Sequence, residues 1–149
     1  MNSVFDNKSM GFLIGFLSRQ SRKYFEFHAD KLGLHGGQMI VLKILALQDG
    51  LSQSDLSKKL QVDKAHIARA IKKLEDKKLV TRRDCEKDSR LNKLYLTEKA
   101  KTLIPQIKVI YKAWTQKLGE DFNEEEKQII NSLLVRMCNN VEHIKKELI

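Results

Sequence analysis

The sequence predicts a mainly α-helical fold that carries one small β-hairpin. Its 149 residues contain one proline and seven glycines, so long helices with few breaks are expected. Apolar residues recur at helical spacing along most of the chain, and the pattern changes to alternation only between residues 79 and 96. Apolar residues make up 42% of the chain, which suffices for a packed core, and the length suits one domain.

The first two helices are predicted from apolar spacing and from the glycines that end them. The first runs from about Lys8 to Leu32 and ends before Gly33, with Gly36 and Gly37 in the break that follows. The second covers residues 38–48 and is apolar almost all round, which is typical of a helix buried at the centre of a domain.

Residues 52–76 predict two short helices joined by a tight turn. Ser52 can cap the first helix, with Asp55 three residues later as an approximate capping box, and Asp63 can cap the second. The second helix turns one apolar stripe inward and basic residues outward; the stripe consists of Ile67, Ile71 and Leu74. This pattern is typical of a helix-turn-helix, whose second helix enters the major groove of DNA.

The change of period after Lys78 predicts a β-hairpin. Residues 79–83 and 93–96 have the alternation and the residue types of strands. Residues 84–92 between them are highly charged, so a long basic tip is expected. A hairpin that follows a helix-turn-helix is a wing, and the fold class is therefore a winged helix-turn-helix plus a helical dimerisation region.

Two further helices complete the chain. One begins at Thr97 and Glu98, with Pro105 predicting a kink, and the other begins at Asn123, where three glutamates favour the positive end of the helix dipole. The apolar stripe of the last helix is wider than the central module can cover, so a second copy is expected to bury it. The predicted dimer interface comprises Phe5, Phe12, Phe16, Leu118, Ile129, Leu133, Met137, Val141 and Ile144.

The distribution of charge indicates the partner. The formal net charge is +9, and residues 50–101 hold 15 basic and 8 acidic residues, a net of +7. A basic module between two nearly neutral segments is typical of a nucleic-acid-binding domain. No apolar run approaches the length of a membrane span, and the N-terminus lacks a signal-peptide pattern. Two cysteines fit a reducing compartment. We therefore expect a cytoplasmic protein without a membrane partner.

These motifs resemble those of the MarR family of winged helix-turn-helix regulators, over nearly the whole chain. The resemblance is carried by residues 51–56, 62–69, 74–75, 79–82 and 94–99, and above all by Asp88-Ser89-Arg90 at the wing tip. It implies a homodimer with interlocking terminal helices that binds a pseudo-palindromic duplex DNA as a repressor or an activator, with repressor favoured, and often answers a small-molecule effector. It divides the chain into a dimerisation region, residues 1–34 and 102–149, and a DNA-binding lobe, residues 35–101.

The family usually has glycine where this chain has Lys78 and often where it has Ala100. A left-handed backbone is favoured after the end of a helix, so Lys78 costs up to about 1 kcal/mol relative to glycine. Neither difference removes a DNA contact.

Within the basic module, Arg69 is predicted to contact a base and Arg90 to enter the minor groove. Asp88 is expected to brace the wing tip, and the basic residues of the hairpin to contact phosphates. A solvated helix face and a merely soluble hairpin are the simpler alternatives, and Ser52 to Ser54 either contact phosphate or only cap a helix. The predicted DNA-binding set is Ser52, Gln53, Ser54, Lys64, Ala65, His66, Arg69, Lys72, Lys73, Arg82, Arg83, Lys87, Asp88, Arg90 and Lys93.

Other functions remain as alternatives. The same surface would suit an architectural or RNA-binding protein without sequence preference, and Cys85 lies among basic residues that favour a thiol switch, although Asp84 and Glu86 oppose it. Cys138 is expected in the core. Trp114, Phe27 and Met39 line either a ligand pocket or the core, with the core favoured.

No enzyme, cofactor or metal is predicted, because the chain has no glycine-rich phosphate loop and no nucleophile-base pattern. The four histidines show no dense ligand spacing, and a zinc site formed across segments stays open.

Overall fold

The computed structural model describes residues 3–85, 88–142 and 144, with side chains outside residues 84–91. Within the described residues the fold is mainly helical, with one small antiparallel sheet of three strands in the order β1-β3-β2, which confirms the predicted fold class. The elements are α1 (Met10–Lys31), α2 (Gly36–Leu47), β1 (Leu51–Ser52), α3 (Gln53–Leu60), α4 (Lys64–Asp76), β2 (Val80–Cys85), β3 (Asp88–Leu96), α5 (Glu98–Leu118) and α6 (Glu124–Val141).

The chain forms two compact units, Met1–Lys112 and Ala113–Ile149. The core of the first unit confirms that the apolar second helix is central, because Met39, Leu42 and Leu45 of α2 are all buried. Helix α1 lies against α5 in the same unit: the Phe25 and Tyr111 rings stack with centroids 4.4 Å apart. Among the described residues, no helix combines the length and the apolarity needed to cross a membrane.

The hairpin differs from its prediction. Strands β2 and β3 pair from Val80 opposite Leu96 to Cys85 opposite Asp88, so the long charged tip predicted for residues 84–92 is wrong. Charged residues are depleted in strands because strands usually pack on one face, but an antiparallel hairpin in solvent needs no such burial. Strand β1, which pairs Leu51 with Leu94, was not predicted, because two residues are too few to show alternation.

The start of α2 also corrects the sequence analysis. Gly36 and Gly37 were placed in the break between helices, yet they form the first turn of α2. The reason lies in their close neighbours. A Cβ atom at Gly36 would lie 2.8 Å from Oε1 of Glu26 on α1, and one at Gly37 would lie 3.2 Å from Nε2 of His66 on α4. Glycine here leaves room for the ends of the Glu26 and His66 side chains rather than ending a helix.

The end of α4 confirms the expectation for Lys78, whose φ is +58°. The Leu79 amide donates to the Leu74 carbonyl and the Lys78 amide donates to the Glu75 carbonyl, the two hydrogen bonds of a Schellman motif. Leu74 and Leu79 are both buried, which adds the apolar contact that often accompanies this motif. A non-glycine residue therefore occupies a left-handed position here.

Candidate nucleic-acid interface

Helix α4 separates an apolar face from a basic face, as its sequence predicts. Ile67, Ile71 and Leu74 are at most 2% exposed. The side chain of Asp63 caps the helix by accepting from the Ala65 amide at 2.7 Å. The predicted DNA-contacting residues of α4 all lie on the solvent side: Lys64, Ala65, His66, Arg69, Lys72 and Lys73. The base and phosphate contacts of these residues stay predictions, and the exposure of their side chains to solvent is what such contacts require.

Helix α3 begins in a capping box formed by Ser52 and Asp55. The Ser52 hydroxyl accepts from the Asp55 amide at 3.1 Å and donates to Asp55 Oδ2 at 2.7 Å, and the Ser52 amide donates to the same oxygen at 2.9 Å. These hydrogen bonds, the hydroxyl first and then the backbone amide, lower the pKa of the Asp55 carboxyl. Because Ser52 is buried and its hydroxyl is engaged, the local geometry favours the capping role over a phosphate contact.

Two side chains of α3 hold the turn that leads into α4. The Ser57 hydroxyl donates to the Val62 carbonyl at 2.6 Å, and Gln53 Nε2 donates to the Lys64 carbonyl at 3.4 Å. Gln61 within this turn adopts a left-handed conformation, with φ at +53°. The spacing between the two helices is therefore fixed by hydrogen bonds as well as by core packing.

The two described arginines of the wing have partners within the chain. Arg82 Nε lies 2.7 Å from Oε1 of Glu75 on α4, and the Arg83 guanidinium lies 4.8 Å from the centre of the Tyr95 ring on β3. The Arg82–Glu75 pair is partly exposed, so it contributes at most about 1 kcal/mol, but it joins the base of the wing to α4. Sequence reasoning missed both contacts, because Arg82 and Glu75 are separated by a helix end and Arg83 meets Tyr95 only through the pairing of two strands.

The rest of the wing is described less fully. Lys87 lies outside the described residues, and of Asp88, Arg90 and Cys85 only the backbone is described, within β3 and β2. Their predicted roles in DNA contact, bracing and thiol chemistry therefore stay predictions. Lys93 on β3 is half-buried.

A cross-helix contact supports the start of α2. Glu26 of α1 accepts with Oε2 from the Gly36 amide at 3.1 Å, so a carboxylate from one helix caps another. Asp30, with its oxygen 3.8 Å from His35 Nδ1, joins Glu26 and His35 in a group whose ligand-type atoms lie within 4.8 Å of one another. The spacing of the histidines did not predict this group. Because Glu26 is already engaged as the cap of α2, we assign no metal to the group.

Two expectations about burial are wrong. Cys138, expected in the core, is exposed on α6, and Phe27 is 57% exposed on α1. Met39, by contrast, is fully buried, as the core interpretation predicted. An apolar stripe shows which side of a helix is buried in the functional assembly, and within one chain that side can still face solvent.

Comparisons with known proteins agree with this geometry. A family model described as MarR family matches residues 36–91. An uncharacterized HTH-type transcriptional regulator of Bacillus subtilis, YdgJ, is 31% identical over 113 residues, which cover 76% of this chain and 69% of the relative.

Solved structures are similar over most of their length. A MarR transcriptional regulator from Methanosarcina mazei is 36% identical, with a TM-score of 0.79 and coverage of 89% of this chain and 96% of that one. A MarR family regulator from Listeria monocytogenes, complexed with a 26mer DNA, is 25% identical, with a TM-score of 0.87 and coverage of 93% and 95%.

Proposed function

Since this chain belongs to the MarR family of transcriptional regulators, and is thus a regulator rather than an enzyme, we propose that it binds a specific duplex DNA as a homodimer. Helix α4 enters the major groove, and the β2–β3 wing reaches the adjacent minor groove. The observation that carries this proposal is the division of α4 into a buried apolar face and an open basic face beside a wing. The complex of the Listeria relative with DNA supports it.

Arg69 is the base-reading residue of this proposal. It lies in the first half of α4 on the exposed face, where a guanidinium can donate two parallel hydrogen bonds to guanine. Lys64, Lys72 and Lys73 surround it and supply phosphate contacts. Arg90 of β3 is assigned to the minor groove.

Selection of bound duplexes from a random pool tests the proposal. We expect one enriched pseudo-palindrome whose half-sites lie about one helical turn apart. The affinity for that operator should fall by about 0.9 log units per log unit of salt for each phosphate contacted. Equal binding of the operator and of unrelated duplex would instead favour an architectural protein without sequence preference.

Two variants of Arg69 separate base contact from charge. Arg69→Lys keeps the charge and loses the bidentate geometry, so we expect weaker discrimination at one base pair with an unchanged salt slope. Arg69→Ala should weaken operator binding further. Lys108→Ala, an exposed lysine of α5 outside the predicted DNA surface, is the control and should bind as the wild type does.

We infer that the dimer is formed by the terminal helices, with the regions 1–34 and 102–149 as its frame. In α6 no residue is buried, and its large aliphatic side chains except the partly buried Met137 are 39–59% exposed, an unusual degree of exposure for a regular apolar stripe. In α1 the Phe12 residue is 45% exposed. The ring centroids of Phe5 and Phe16 lie 4.8 Å apart, so these two predicted interface residues contact each other. A second copy of this chain is the occupant that family membership supports.

Light scattering tests this frame. The wild type should have twice the chain mass, and Ile129→Asp combined with Leu133→Asp should give a monomer with an intact circular dichroism spectrum. Glu125→Asp, an exposed position near the start of the same helix, is the control. A wild-type monomer at micromolar concentration would contradict the proposal.

We infer from the family alone that the protein acts as a cytoplasmic repressor and that a small-molecule effector releases it from DNA. Transcription from a reporter that carries the selected operator tests the sign of regulation. Exposure of the complex to peroxide tests the alternative through Cys85, since release that a Cys85→Ser variant abolishes would identify a thiol switch.

A further inference from the structure

The C-terminal end of α4 is held by side chains from several parts of the first unit. Lys77 Nζ donates to the Gly33 carbonyl in the α1–α2 linker and to Gln38 Oε1 on α2, the latter at 3.1 Å. Lys99 Nζ of α5 donates to the Lys77 carbonyl at 3.0 Å, and Thr97 Oγ1 donates to the Lys78 carbonyl at 2.8 Å. The DNA-reading helix is thus anchored at the end opposite its first turn.

Gln38 is an uncommon partner in this anchor. Its side chain is 2% exposed, and its Oε1 accepts from both Lys77 Nζ and the His35 amide, the latter at 3.3 Å. Two donors on one oxygen set the orientation of the amide, and Nε2 is left without a hydrogen-bond partner. A buried donor without a partner is destabilising, so the amide orientation that lets Gln38 accept from Lys77 is kept although it leaves Nε2 without a hydrogen bond.

We propose that Lys77 is a positioning residue for operator recognition, which sets the angle of α4 through the α1–α2 linker. This inference rests on the proposed function, because it concerns the helix assigned to the major groove. Arg69 lies eight residues before Lys77, about 12 Å along the helix axis. A tilt of about 5° at the anchored end moves Arg69 by about 1 Å, which is enough to break bidentate hydrogen-bond geometry.

The same contacts argue against a phosphate role for Lys77. An ammonium group has three donors, and two of them are engaged with Gly33 and Gln38. The side chain is half-buried against the linker, unlike the exposed lysines at 72 and 73. In the charge count of the sequence Lys77 belongs to the basic excess of the module, but its charge is directed into the fold.

Operator binding by Lys77→Met tests the proposal, because methionine keeps the apolar stem and removes the ammonium. We expect at least about a tenfold loss of operator affinity, a smaller loss on unrelated duplex, and an unchanged salt slope. Lys77→Arg should restore most of the affinity, because a guanidinium can reach the same two oxygens. Lys78→Met removes an exposed ammonium from the adjacent residue and should bind as the wild type does.

Three results would overturn the proposal. A salt slope lowered by about 0.9, with operator and unrelated duplex weakened alike, would make Lys77 a phosphate contact. Unchanged operator affinity at a temperature where both proteins are folded would leave Lys77 only a stabilising role. Equal losses in Lys77→Met and Lys78→Met would show that the neighbouring charge alone matters.

Amide hydrogen exchange tests the anchor without DNA. In Lys77→Met the amides of the last turn of α4 should exchange about tenfold faster than in the wild type, whereas Lys78→Met should leave them unchanged. Adding Gln38→Met to Lys77→Met should cause little further acceleration, since both changes break the same contact. If the wild type selects no operator, the proposed function fails, but the exchange experiment still tests whether Lys77 holds the end of α4. Unchanged amide exchange in Lys77→Met would show that Lys77 does not hold it.

Discussion

Lys78 offers a direct measurement of backbone strain at the end of α4. Its φ of +58° lies in the left-handed region, which costs a side chain with Cβ but costs glycine almost nothing. The side chain is exposed, so removing it forfeits no core packing. Glycine also increases the entropy of the unfolded chain, which offsets part of the gain. We therefore expect Lys78→Gly to raise the free energy of unfolding by about 0.5–1 kcal/mol.

Chemical and thermal denaturation measure this effect. For a chain of this size, 1 kcal/mol corresponds to a shift of about 2–4 °C in the midpoint of unfolding. Lys78→Ala is the matched control, because it removes the same side chain but keeps Cβ, and its stability should stay near that of the wild type. Lys72→Gly places glycine at an exposed position in the interior of α4 and should be destabilising by about 0.5–1 kcal/mol. If Lys78→Gly is no more stable than Lys78→Ala, the strain argument is refuted.

Three further predictions concern other contacts of the first unit. Gly36→Ala should be less favourable in the wild type than in Glu26→Ala by about 0.5–1 kcal/mol in a double-mutant cycle, because its Cβ displaces the Glu26 carboxylate that caps α2, whereas alanine itself is favoured in a helix. Because the pKa of Asp55 is lowered from its ordinary value of 3.8, the ionised carboxylate stabilises the fold above that pH, and this stability is lost as pH falls through the folded pKa. Carbon-13 titration of the carboxyl should show the lowered pKa in the wild type and not in Ser52→Ala, and equal titration midpoints in the two proteins would contradict the capping geometry. Burial raises the pKa of Tyr111 to about 12, so stability should decline as pH rises above 10, and a Tyr111→Phe variant that loses this decline would confirm the source.

Local chemistry made several features predictable from the sequence. The capping box of Ser52 and Asp55 depends on groups within three residues of each other, as does that of Asn123 and Glu126. The two faces of α4 follow from helical periodicity. The left-handed backbone at Lys78 follows from its place after a helix end. Each of these rests on contacts within one or two turns of chain.

The sequence by itself therefore determined the fold class, the basic face of α4 and the caps that begin α3, α4 and α6, because these depend on near neighbours. Tertiary structure alone decided which charges are engaged inside the fold. Lys77 meets Gln38 across 39 residues of chain, and the Arg82 side chain pairs with Glu75 instead of standing free. Strand β1 and the full length of the wing were likewise decided by pairing with β3. Residue spacing carries no trace of such contacts, because they arise only when distant segments pack together.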